Sequence, residues 1–125
     1  MLPTARIHWR SWSLRLACLA VALALSQTLF IQYCDLLFDC GCQPLWAGRA
    51  EHCNIHNPEP PHCPWCLDGG AIGRWANAAI VVSQSGLALW PGAFGALRAA
   101  CVFLAFPAVG GLGGLAAGLA TGYWR

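Results

Sequence analysis

The residues able to do chemistry are crowded into one stretch of this chain. Six of the eight cysteines, three of the four histidines and all five acids (Asp35, Asp39, Glu51, Glu59 and Asp68) fall within residues 34–68. They form three groups. The first is Cys34 with Cys40-Gly41-Cys42, and the second is His52-Cys53-Asn54-Ile55-His56. The third is His62-Cys63-Pro64-Trp65-Cys66.

Thiolate and imidazole are the ordinary ligands of zinc and of copper. The two-residue gap between Cys63 and Cys66 lets both sulfurs bite one ion, and His52 and His56 would share a face if their stretch were helical. The expected metal ligands are therefore Cys40, Cys42, His52, Cys53, His56, His62, Cys63 and Cys66, and the expected cofactor is a transition metal, copper or zinc. The five acids against Arg49 and Arg74 add a modest attraction for a cation.

Two other chemistries compete. A loop too small to build its own core can be stapled by disulfides, and six cysteines allow 15 pairings. That reading leaves the histidines unexplained. Cys63-Pro64-Trp65-Cys66 also has the C-P-x-C form of thiol–disulfide oxidoreductases, with Cys63 and Cys66 as the reacting pair and His62 placed to lower a thiol pKa. The strand–helix alternation of a thioredoxin fold is missing, however. A C-x-x-C-H sequence for covalent haem is absent as well. No enzyme nucleophile or paired-carboxylate site stands out.

The elements that must position these residues are apolar. The chain has 125 residues, is 58% hydrophobic and only 10% charged, where soluble domains sit near a quarter charged. Its net charge of +2 is too small to suggest a nucleic-acid partner. The expected fold is an all-α integral membrane protein, a three-span helical bundle with an irregular Cys/His-rich loop. A basic N-terminus covers residues 1–15, and the first span covers residues 16–33. The loop takes residues 34–74, where five prolines and several glycines forbid a long helix. The second span covers residues 75–90, a turn takes 91–98, and the third span covers 99–123. A cleaved signal sequence ending near residue 24 is the competing reading of the first run, which nevertheless stays apolar through Leu29, Phe30 and Ile31.

Arg6, Arg10 and Arg15 ahead of the first span predict a cytoplasmic N-terminus in the cell (inner) membrane and an extracytoplasmic loop. Trp9, Trp12 and Trp90 are then expected at the inner interface, with Trp75 and Trp124 at the outer one. Cys18 and Cys101 are expected as small packing residues near the inner face. Ser26-Gln27-Thr28 and Ser83-Gln84-Ser85 should meet at mid-membrane, with a Gln27–Gln84 hydrogen bond joining two spans. Gly110, Gly114, Gly118 and Gly122 make one stripe on the third helix. It suits either packing within the chain or a partner, a homodimer or a larger membrane protein, besides the lipid bilayer itself.

Overall fold

The computed structural model describes the backbone from Pro3 to Arg125 and the side chains from Ser11 onward, so the expectations for Arg6, Trp9 and Arg10 lie outside the described side chains. Three helices follow in order, with no strand among the described residues: α1 (Pro3–Phe38), α2 (Leu67–Leu89) and α3 (Ala96–Thr121). Between α1 and α2 the chain makes three single turns of 3-10 helix, Leu45–Ala47, Arg49–His52 and Asn54–His56.

Two stretches are long and apolar enough to cross a membrane, Ser11–Phe38 of α1 and Ala96–Thr121 of α3. The expected second span falls short of that mark. Helix α2 begins well before residue 75 and carries Arg74, Asn77 and the Ser83-Gln84-Ser85 triplet. Its regular geometry starts after Asp68, Gly69 and Gly70, which are left-handed. At 36 residues, α1 is about 54 Å long, well beyond a hydrocarbon core of about 30 Å. Its last turns carry Cys34 and Asp35 to the foot of the loop.

Polar side chains join the three helices at mid-height. Gln84 is buried; its side-chain oxygen accepts from Ser26 Oγ at 2.9 Å and its amide donates to the Val102 carbonyl at 3.2 Å. Gln27 instead exchanges two hydrogen bonds with Asn77, at 2.8 and 3.1 Å. The two triplets thus meet, but Gln84 pairs with Ser26 rather than Gln27. Gln27 lies one residue further round α1 and faces Asn77, two turns earlier on α2.

At one end of the bundle Arg15 is buried and donates to the carbonyls of Trp90 at 2.7 Å and of Gly92. Arg98 donates to the Trp90 carbonyl as well, at 2.8 Å. These cations satisfy the carbonyls that the end of α2 leaves free, where the helix dipole also favours positive charge. Cys18 packs nearby with Leu19 and Phe94 around Ala22, Ala88 and Val102.

The glycine stripe is occupied from within the chain. A β-carbon at Gly110 would lie 2.8 Å from Tyr33, and one at Gly114 would lie 2.6 Å from Leu37. Gly118 is covered by Trp124, and Gly122 is the left-handed cap of α3. Replacing Gln84 by leucine removes a residue bonded to both other helices. It should lower stability in detergent by about 0.6–2 kcal/mol, measured by denaturant titration followed by circular dichroism. An unchanged midpoint would show that the three helices do not depend on it.

Candidate metal centre

The end of the bundle opposite Arg15 carries the cysteines. Helix α1 ends where Asp39 turns left-handed, at φ 46°, with its N–H on the Asp35 carbonyl. The Asp35 carboxylate accepts from the Gly41 N–H at 2.7 Å. Gly41 has φ 84°, and a β-carbon there would strike the His52 carbonyl oxygen at 2.7 Å. Only glycine fits, so Cys40 and Cys42 are folded back beside the second group. Pro64 opens a tight turn in which the Cys66 N–H bonds the Cys63 carbonyl at 3.0 Å.

Asn54 ties these segments together. Its backbone N–H donates to the Cys40 carbonyl at 2.7 Å, and its side-chain oxygen accepts from the Cys63 N–H at 2.6 Å. Its amide donates to the Tyr123 hydroxyl at 2.8 Å, which in turn donates to the Phe38 carbonyl at 2.6 Å. One residue thus links the end of α1, both halves of the loop and the tail after α3. Trp65 forms the floor. It is buried, stacks on Phe30 at 4.8 Å between ring centroids and meets Phe38 edge-on at 5.6 Å.

All six loop sulfurs converge on this floor. Cys34 Sγ lies 3.3 Å from Cys63 Sγ and 3.7 Å from Cys40 Sγ. Cys40 and Cys42 are 3.4 Å apart, and Cys53 and Cys66 are 3.5 Å apart. Three sulfur triads have all members within 4.8 Å of one another: Cys34, Cys40 and Cys63; Cys40, Cys42 and Cys53; Cys53, Cys63 and Cys66. Cys34, Cys42 and Cys66 also interact with each other. Five of the six are buried, and Cys66 is half-buried.

The histidines do not join them. His56 Nε2 lies 3.0 Å from the Ala50 carbonyl, His62 Nε2 lies 3.0 Å from the Asn57 carbonyl, and His52 is exposed beside Gly48. Of the eight expected ligands, the structure brings together Cys40, Cys42, Cys53, Cys63 and Cys66, and leaves His52, His56 and His62 outside. It adds Cys34, whose place at the end of an apolar run disguised it. Nothing in the spacing of Asn54 marked its role, beyond its position next to Cys53.

The thiols polarise one another. Hydrogen bonds from Cys34 and Cys42 hold the Cys40 thiol down to about 7, and bonds headed by Cys34 lower Cys63 and Cys66. Burial pushes Cys53 up to about 12, and Cys42 is raised as well. Cys34, Cys42 and Cys66 line a cleft of about 510 Å³ together with Arg49 and Arg74. Such a nest of soft donors can take up a thiophilic metal or close into disulfides. No family model, curated protein or solved structure matches this chain.

Two outcomes follow. Replacing Asn54 by alanine leaves the Cys63 N–H without its acceptor, and alkylation of Cys63 in the metal-free reduced protein should rise at least several-fold, read by mass spectrometry. Equal protection would remove Asn54 from its organising role. In the same protein Cys66 should be alkylated first. Its depressed pKa should keep it reactive at pH values where ordinary thiols, near 9.0, have become inert. The thiolates of Cys40 and Cys66 favour the fold above the ordinary thiol value. The Cys40 contribution is lost as pH falls through about 7, so stability of the reduced protein should decline there.

Proposed function

We propose that this is a small membrane protein that holds a transition metal, copper or zinc, in an all-cysteine site at the outer end of its helices. The observation that carries the reading is the convergence of six sulfurs without any histidine. Six thiolates crowded on an apolar floor repel one another unless a cation compensates them. A metal ion supplies that charge, and its binding free energy adds to the stability of the loop. In this reading the N-terminus is cytoplasmic, the loop is extracytoplasmic, and α2 completes a third crossing shielded by α1 and α3. The protein would deliver the ion to, or hold it within, a larger membrane assembly.

The test is anaerobic purification of the full chain, with elemental analysis and a thiol count. Bound copper or zinc is expected, with thiols that resist alkylation until a chelator is added. Changing His52, His56 and His62 together to alanine should leave the metal content unchanged. Three disulfides and no metal would overturn the reading.

One observation favours a second reading, thiol–disulfide exchange. Cys66 is the least buried of the six, has a depressed pKa and faces the cleft, as an attacking thiol should. A metal-free protein that reduces a model disulfide, with activity lost in Cys66→Ser, would establish it.

A further inference from the structure

The arrangement of the six sulfurs is more specific than a nest of ligands. The three triads share members in a ring: Cys40, Cys53 and Cys63 each belong to two, while Cys34, Cys42 and Cys66 each belong to one. Those last three influence one another's thiols and line a common cleft, which makes them a fourth, more open face. Together the contacts are the edges of an octahedron, with Cys34 across from Cys53, Cys40 across from Cys66, and Cys42 across from Cys63. Any four vertices of an octahedron include one such opposed pair. The sulfurs in mutual reach are accordingly grouped in threes.

That geometry discriminates between metals. Zinc in a thiolate site takes four donors at tetrahedral corners. Cuprous ion is soft and stable with three thiolates in a plane. The three triads and the fourth face are alternate faces of the octahedron, and every sulfur borders two of them. A cubane iron–sulfur cluster, with one cysteine on each iron, would spread its cysteines beyond the observed 3.3–3.7 Å contacts.

We infer that the six cysteines form a cage for four cuprous ions, one in each of the faces Cys34–Cys40–Cys63, Cys40–Cys42–Cys53, Cys53–Cys63–Cys66 and Cys34–Cys42–Cys66. This rests on the thiolate–metal reading above and deepens it. Each sulfur bridges two ions. Six thiols bind four cuprous ions and release six protons, with no change in oxidation state, and the cage keeps two negative charges. Arg49 and Arg74 line the cleft onto which the Cys34–Cys42–Cys66 face opens, and they offset that charge. The same cleft gives the buried cage its access to solvent.

The full-length, reduced, metal-free protein in detergent would be titrated anaerobically with cuprous ion against a chromogenic cuprous chelator. Saturation at four ions per chain is expected, with the luminescence of copper–thiolate centres shielded from water. Saturation at one or two ions would overturn the cage and leave the thiolate–metal reading standing. Failure to bind copper or zinc with all six thiols free would overturn both. Cys66 borders two occupied faces, so Cys66→Ser should halve the capacity to two, and an unchanged capacity would refute the geometry. X-ray absorption of the copper-loaded wild type gives a check that needs no variant. Three sulfur neighbours per copper and a short copper–copper distance are expected, and two-coordinate isolated copper would overturn the cage.

Discussion

Charge compensation governs this structure. Sulfurs at 3.3–3.7 Å from one another sit in an apolar setting of Phe30, Phe38 and Trp65. As thiolates they repel one another strongly, because the surrounding dielectric is low. As thiols they are small apolar groups with weak hydrogen bonds, too little to fold a loop of Pro, Gly and polar residues. The loop's definition therefore depends on what neutralises the sulfurs. The backbone arrangement makes sense as a pre-formed cup for cations: Gly41 reverses the chain, Pro64 opens the second turn, and Asn54 clamps the two together.

The rest of the molecule serves as a mount for that cup. Helix α1 carries Cys34 to the foot of the loop in its last turns. Helix α3 returns Tyr123 and Trp124 to the same end, where they close over Phe38. At the far end Arg15 and Arg98 hold the turn between α2 and α3 by its carbonyls. Arg15 shows why a flanking arginine need not be only a topological signal. Its guanidinium lies over the rings of Trp12 and Phe94, at cation–π distances of 5.3 and 5.6 Å, while its N–H groups cap a helix.

Much of this was legible in the amino-acid order, and the failures have physical causes. The apolar runs gave α1 and α3, because hydrophobic length needs no tertiary context. Helix α2 begins at Leu67, ahead of the apolar run that starts at residue 75. Asp68-Gly69-Gly70 looked like a continuing loop, yet it is a compact left-handed turn that leads straight into the helix. His52 and His56 looked like ligands by their spacing of four, but that inference needs one continuous helix. The chain instead breaks at Cys53 between two 3-10 turns, and the rings face outward. Cys34 was hidden by its apolar neighbours. Asn54 could not be singled out at all, because its partners Cys63, Tyr123 and Cys40 are distant in sequence or bonded through the backbone.

The tether between cup and bundle has a thermodynamic consequence. Cys34 belongs to α1, one of the two helices long and apolar enough to cross a membrane, and the Asn54–Tyr123–Phe38 chain binds the loop to the ends of α1 and α3. Occupancy of the sulfur site and association of the helices are then one linked equilibrium. An ion present at a hundred times its dissociation constant would add about 2.7 kcal/mol to the folded form. The population of the folded form would thereby follow the free concentration of whatever ion the sulfurs take up.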